Sequence, residues 1–174
     1  DYKLELSPDV NITHSLSLVE AVDFTKTLDL PFKVRDYQLQ SFVQSIRNKR
    51  RLILSPTASG KSLILYLIIR YLMKDHIKGL LIVPTTSLVE QMFTDFKSYG
   101  FDSDKYCHRQ YSGKEKHTNS FLTISTWQSV YKNDKGYFEQ FDFVIGDEAH
   151  QFKAKSLTTI LSNCINSCLL YTSD

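Results

Sequence analysis

The sequence has few cysteines and no apolar segment long enough to cross a membrane. Among its 174 residues are three cysteines, Cys107, Cys164 and Cys168, an odd number with no Cys-x-x-Cys pair. This count argues against a disulfide framework and against a zinc site, and it predicts a reducing, cytoplasmic setting. The longest apolar stretch, residues 63–69, is far shorter than the ~18 residues that indicate a spanning helix. No signal peptide is visible, so no membrane partner is expected.

The net charge says little about partners, because a value of +2 neither requires nor excludes nucleic acid. Basic clusters occur at residues 47–51 and 114–117, and solvated loops or helix ends are their simpler interpretation. A chain of this length, with 42% hydrophobic residues, can form one domain with a sizeable core. Because it begins at Asp1 rather than at methionine, we expect it to be part of a longer reading frame or a processed product.

Hydrophobic periodicity alternates between short apolar runs and amphipathic segments. The runs predicted as strands are residues 52–54, 79–83, 121–125 and 141–145, with a weaker one at 105–111. The segments predicted as helices are residues 17–29, one beginning at Asp36, 61–74, one opened by a Ser87-x-x-Glu90 capping box and ended by Gly100, a short one after Thr126, and 156–166. Strands alternating with helices are typical of an α/β fold, a parallel sheet sandwiched by helices. Ligands of such sheets bind at the carboxyl ends of the strands.

Residues 55–62 follow the first predicted strand and read Ser-Pro-Thr-Ala-Ser-Gly-Lys-Ser. A phosphate-binding loop needs inward-facing N–H groups, a lysine for the outer phosphates and a hydroxyl for magnesium. The residues predicted to bind the nucleotide phosphates are therefore Thr57, Ala58, Ser59, Gly60, Lys61 and Ser62. The strict pattern has glycine where Ser55 stands, so an accidental Gly-Lys-Ser turn is the alternative.

A second cluster, Asp147-Glu148-Ala149-His150, follows the apolar run at 141–145. At a strand end, Asp147 is suited to hold Mg²⁺ together with Ser62, and Glu148 to polarise an attacking water. His150 has no evident phosphate role, and we assign it to coupling with neighbouring elements. The predicted catalytic residues are Lys61, Asp147, Glu148 and His150. An exposed acidic turn is the alternative, and the phosphate loop upstream argues against it.

With these two clusters the chain resembles the first RecA-like domain of a superfamily 2 helicase of the DEAH-box kind, and it is most similar to the phage UvsW-type recombination helicases. The resemblance covers about residues 32–168, with Ala58 where many relatives have glycine. It implies a RecA-like P-loop fold, ATP and Mg²⁺ as cofactors, and hydrolysis coupled to DNA unwinding or branch migration. It also implies branched or duplex DNA as a partner, with RNA possible, and the host cytoplasm as location if a phage encodes the protein.

Three further segments carry the resemblance. Residues 35–38 resemble the segment in which a glutamine recognises adenine, so Gln38 takes that role; a surface glutamine on an ordinary helix is the alternative. Residues 83–91 resemble motif Ia, and residues 125–129 the next DNA-contacting motif, while Trp127 is interpreted as core. Helix capping by Thr86 and Ser87 accounts for part of the first pattern. The predicted nucleic-acid contacts are Pro84, Thr85, Thr86, Thr126 and Gln128.

The resemblance ends near residue 168. Motif III is expected soon after residue 166, but residues 168–174 read Cys-Leu-Leu-Tyr-Thr-Ser-Asp. We therefore expect the last strand to be missing or replaced, the domain to be incomplete at its C-terminus, and residues 169–174 to be a non-native or truncated tail. Residues 1–31 are interpreted as an extension or linker from a missing N-terminal domain, ahead of the ATP-binding domain at 32–168.

Four hypotheses about the function follow, and one of them covers two kinds of nucleic-acid motor. The second RecA-like domain, which would supply arginines for the transferring phosphoryl group, is absent from this chain, so the isolated chain is expected to turn over poorly. The leading hypothesis is the motor domain of a DNA helicase or branch-migration translocase. The translocating subunit of a restriction enzyme, an RNA helicase and a non-catalytic nucleotide-binding fragment are alternatives. A small-molecule kinase leaves residues 82–91 and 125–129 unexplained.

Overall fold

The computed structural model describes residues 16–47, 50–54, 60–75, 77–111, 119–164 and 168–173. In these ranges six parallel strands form one sheet in the order β1-β6-β5-β2-β4-β3. The strands are β1 Arg50–Leu54, β2 Gly79–Val83, β3 Cys107–Gln110, β4 Leu122–Thr126, β5 Phe143–Gly146 and β6 Cys168–Ser173. The helices are α1 Leu18–Lys26, α2 Asp36–Arg47, α3 Lys61–Leu72, α4 Thr86–Ser98, α5 Ser103–Tyr106, α6 Trp127–Val130, α7 Lys135–Glu139 and α8 Ala154–Asn163. The predicted α/β class is confirmed.

Strand β2 shows why the sheet is covered on both faces. All five of its residues are buried, as expected for an unbroken apolar run in a parallel sheet. Because successive side chains point to opposite faces, Leu81 and Val83 join one hydrophobic cluster and Leu80 and Ile82 the other. The first cluster is covered by α1 to α4, and the second by α6, α7 and α8. None of the helices in the described ranges has the length and apolar character needed to cross a membrane.

Strand β6 shows that the last strand is not missing, and whether its sequence is a replacement stays a prediction. It lies between β1 and β5, and Leu169 pairs with Arg50 on one side and with Val144 on the other. The residues at 168–173 do not match motif III, but a strand between two neighbours is held by main-chain pairing and needs only residues that tolerate a sheet. The non-native origin of residues 169–174 stays a prediction.

Helix α1 belongs to the same core as the rest of the domain. Ser17 and Glu20 form a capping box at its start, with Ser17 N–H donating to Glu20 Oε2 at 2.7 Å. Phe24 lies 5.8 Å from the ring of Phe42 and 5.3 Å from that of Tyr71. The described part of the predicted extension, residues 16–31, therefore packs against α2 and α3.

Helix α4 begins two residues earlier than the sequence predicts. Thr85 is its N-cap and accepts a hydrogen bond from the Leu88 N–H at 3.3 Å. The expected Ser87–Glu90 capping box is wrong because Glu90 is bonded elsewhere. Its carboxylate accepts from Arg109 Nη1 at 2.5 Å and from Tyr111 Oη at 2.6 Å.

Candidate functional site

The two predicted ATP clusters meet at the carboxyl ends of the strands. Lys61 is the first residue of α3, and Glu148 follows β5 by two positions with a left-handed φ of 52°. Lys61 Nζ forms an ion pair with Glu148 Oε1. The side chains are only 12% and 14% exposed, so the pair lies in a partly desolvated cleft where electrostatic interactions are stronger than at the surface. The fold thus joins two residues separated by 87 positions.

Gly60 caps α3 and is in contact with the predicted adenine-reading residue. Its φ of 73° is left-handed, a conformation that favours glycine. A Cβ added to Gly60 would overlap Gln38 Nε2. Gln38 is 5% exposed, and its Oε1 accepts from the Arg35 N–H at 2.9 Å. The alternative of a surface glutamine is therefore wrong. Three other predicted phosphate-binding residues, Thr57, Ala58 and Ser59, lie outside the described residues.

Asp147 lies directly beyond β5 and is 2% exposed. Its N–H donates to the Ile82 carbonyl at 2.8 Å, which ties the turn to β2. A buried carboxylate at this strand end is the donor type that Mg²⁺ prefers, so the residue fits the metal role predicted for it. Among the described residues, no group of three or more His, Cys, Asp and Glu side chains is arranged to hold a metal ion. A Mg²⁺ held here would depend on Asp147, a hydroxyl and non-protein oxygens.

The predicted hydroxyl ligand, Ser62, has partners that sequence reasoning missed. Its Oγ is 2.8 Å from Tyr99 Oη, and its hydroxyl is also hydrogen-bonded to Asp95. Burial raises the pKa of Asp95 and of Tyr99 above their ordinary values. Asp95 and Tyr99 are four residues apart near the end of α4, and this i, i+4 spacing was the only sequence signal for the pair.

His150 contacts Glu148, a predicted catalytic residue, from the solvent side. Its Nδ1 is 3.4 Å from Glu148 Oε2, and its side chain is 49% exposed. This contact links a flanking residue to Glu148, and the coupling role assigned to His150 stays a prediction.

The predicted nucleic-acid segments leave adjacent strands at the same edge of the sheet. Val83, the last residue of β2, pairs with Thr126, the last residue of β4. Thr85 and Thr86 are exposed beyond β2, whereas Pro84 is buried beneath them. Both segments therefore lie at the carboxyl ends of the strands, as the predicted ATP clusters do, and ligands of parallel sheets bind at these ends.

The second of these segments, residues 125–129, contains both buried and exposed side chains. Thr126 is 5% exposed, with Oγ1 2.9 Å from Ser129 Oγ, and Gln128 is exposed. Trp127 is 8% exposed and packs against Tyr131 and Phe152, which confirms that it is a core residue.

Comparison with known proteins identifies a family and relatives for the chain. Residues 31–173 match the family described as type III restriction enzyme, res subunit. The chain is 32% identical over 178 residues to the ATP-dependent DNA helicase uvsW of enterobacteria phage T4, and 25% identical over 140 residues to the DNA 3'-5' translocase XPB2 of Sulfurisphaera tokodaii. The matches include 97% and 80% of this chain, but only 35% and 30% of those relatives.

Solved structures of helicases also resemble the chain. The crystal structure of the UvsW helicase from bacteriophage T4 matches 99% of this chain and 65% of its own, with a TM-score of 0.85 and 30% identity. The Pyrococcus furiosus Hef helicase domain matches 80% of this chain and 33% of its own, with a TM-score of 0.66 and 21% identity. The second likeness is one of fold alone.

Proposed function

Because the chain belongs to the type III restriction enzyme res subunit family and is the first RecA-like domain of a superfamily 2 helicase, we propose that it is the ATP-binding motor domain of a DNA helicase or branch-migration translocase. The observation that supports this most is the contact of Lys61 with Glu148. It brings the phosphate-loop lysine and the acidic cluster to one cleft, and the resemblance predicts ATP between them.

Each residue of the cleft has a role that follows from its chemistry. Lys61 binds the outer phosphates, and its paired carboxylate, Glu148, accepts a proton from the attacking water. Asp147 and Ser62 hold Mg²⁺, which neutralises charge on the phosphates when bound. Gln38 hydrogen-bonds adenine, and its contact with Gly60 connects base recognition to the phosphate loop.

The nucleic-acid surface is proposed to be the edge where β2 and β4 end. Exposed hydroxyls of Thr85 and Thr86 and the amide of Gln128 can donate hydrogen bonds to backbone phosphates. Such contacts carry no base sequence, which fits an enzyme that moves along DNA. Closure against a second RecA-like domain, which the longer relatives have room for, would complete the ATP site and turn hydrolysis into movement.

ATP hydrolysis by the full-length protein tests this function. Measured with and without branched duplex DNA, hydrolysis is expected to be strongly stimulated by DNA and abolished by Lys61→Ala. Hydrolysis that is absent, or that does not respond to nucleic acid, would contradict the motor function. Binding of a fluorescent ATP analogue without turnover would favour a non-catalytic nucleotide-binding protein. Stronger stimulation by RNA than by DNA would favour an RNA helicase.

A further inference from the structure

The predicted nucleic-acid segment at residues 125–129 rests on a buried hydrogen-bond chain. Ser125 has no solvent exposure and immediately precedes Thr126, where β4 ends. Its hydroxyl donates to the main-chain carbonyl oxygen of Gln110 at 2.8 Å, and the main-chain carbonyl oxygen of Thr126 lies at 3.3 Å. The position of Thr126 is therefore coupled to Gln110 through a side-chain bond as well as through the sheet register.

Gln110 extends this chain to a helix. It is the last residue of β3 and is 1% exposed. Its Oε1 accepts from Tyr137 Oη at 2.8 Å, and Tyr137, on α7, is 6% exposed. Burial raises the pKa of Tyr137 to about 12, so its hydroxyl keeps its proton and remains a donor at physiological pH. The hydrogen bonds run from α7 through the end of β3 to the end of β4.

The Gln110 side chain also carries a buried amide nitrogen. Gln110 Nε2 is buried and has no hydrogen-bond partner among the described residues. A buried amide without an acceptor lowers stability, and a leucine of similar size would avoid that loss. Replacing Gln110 and Tyr137 together therefore removes their hydrogen bond without leaving a buried polar side chain at either position.

We propose that Ser125, Gln110 and Tyr137 are positioning residues that hold Thr126 and the turn after β4 in the geometry needed to grip a nucleic-acid backbone. All three side chains are buried, so none contacts nucleic acid directly. They act through Thr126, which pairs with Val83 at the end of the neighbouring motif strand. This inference rests on the proposed nucleic-acid role of residues 125–129.

The test separates positioning from stability. In the full-length protein, Tyr137→Phe removes one oxygen atom and keeps the ring. The double variant Gln110→Leu/Tyr137→Phe replaces both partners by apolar groups, a change that is close to neutral for stability. Both variants are expected to raise the DNA concentration that half-saturates ATPase stimulation by about three- to thirty-fold. Hydrolysis without DNA is expected to stay unchanged, because no catalytic side chain is altered.

Cys164→Ala is the matched control. Cys164 is 1% exposed in the same hydrophobic cluster as Tyr137, so its truncation lowers the melting temperature while Ser125, Gln110 and Tyr137 keep their side chains. The positioning role alone would be overturned if the unsubstituted protein is stimulated normally and the double variant needs the same DNA concentration for half-saturation. It would also be overturned if Cys164→Ala raised the half-saturating DNA concentration as much as the double variant does. Absence of stimulation in the unsubstituted protein would overturn the proposed function together with this inference.

Discussion

Lys61 Nζ and Glu148 Oε1 are ion-paired across the cleft between the start of α3 and the end of β5. Each is the charge partner of the other, and both are mostly shielded from water. Removing one charge therefore changes the state of the other as well as the chemistry of the site. His150 Nδ1 approaches the second carboxylate oxygen of Glu148 at 3.4 Å, so a change at Glu148 also alters the surroundings of this histidine.

Glu148→Gln should lower ATP turnover by about 10²–10⁴-fold, because an amide cannot accept a proton from water. Nucleotide affinity should be retained or increased, because Lys61 loses its competing carboxylate and its charge becomes available to phosphate. Steady-state hydrolysis and titration with a fluorescent ATP analogue measure the two effects separately. Parallel losses of affinity and turnover would contradict this division of roles, and Lys61→Ala provides the comparison in which affinity is expected to fall.

Gly60→Ala should destabilise the domain more than Gly100→Ala does. Both glycines have positive φ, 73° and 88°, so an alanine costs roughly 1–2 kcal/mol of backbone strain at either position. At Gly60 the new methyl group also collides with Gln38 Nε2, whereas nothing lies within 4 Å of a Cβ at Gly100. Denaturant unfolding measures the difference. In a Gln38→Ala background, the further loss caused by Gly60→Ala should be close to that of Gly100→Ala in the unsubstituted protein. Equal losses in the two single variants would contradict the contact.

The sequence was sufficient to predict the features that depend on a few neighbouring residues. The apolar run at 79–83 is β2 with the same limits, and the Gly60-Lys61-Ser62 turn does open a helix with a left-handed glycine. Two short helices were missed although each has an N-cap aspartate, Asp102 for α5 and Asp134 for α7. Four or five residues give too little hydrophobic periodicity to detect.

Features that depend on distant residues could not be predicted. Ser62 contacts Tyr99 only because α4 packs beside α3, and no local pattern encodes that pairing. The start of α4 was misplaced because Thr85 and Ser87 are both good N-caps, and the local sequence does not show that Glu90 pairs with Arg109 of β3 instead of closing a capping box. Strand β6 was missed because the absence of a motif was taken as the absence of a strand.

Thr85→Ala should lower the free energy of unfolding by about 1 kcal/mol, because the hydroxyl caps α4 through the Leu88 N–H. Thr85→Ser keeps the cap and should preserve stability. Ser87→Ala, which tests the capping residue predicted from sequence, should change stability by less than about 0.5 kcal/mol. Denaturant unfolding of the three variants checks this order, and a larger loss for Ser87→Ala would restore the capping box.

Tyr99→Phe should weaken the dependence of nucleotide binding on magnesium. A serine that ligates a metal through an oxygen lone pair directs its proton to an acceptor, and Tyr99 and Asp95 are bonded to the Ser62 hydroxyl. Without the phenol, the Mg²⁺ concentration that half-saturates nucleotide binding should rise by about ten-fold, the lower end of the range for groups that orient metal ligands. Binding without Mg²⁺ should not change. An equal loss with and without Mg²⁺ would indicate that Tyr99 supports the loop rather than the metal ligand.

Cys107 should resist alkylation in the folded protein. Burial raises the pKa of its thiol to about 12, and the side chain is 8% exposed. Because folding favours the neutral thiol, its stability contribution is fully present below the unfolded pKa of about 8.5 and is lost as pH rises from there towards 12. Iodoacetamide at pH 8 should modify Cys107 slowly in native buffer and rapidly in denaturant, as read by peptide mass spectrometry. In Cys107→Ala the free energy of unfolding should fall less steeply above about pH 8.5. Native labelling as fast as that of a free thiol would show that the start of β3 opens to solvent.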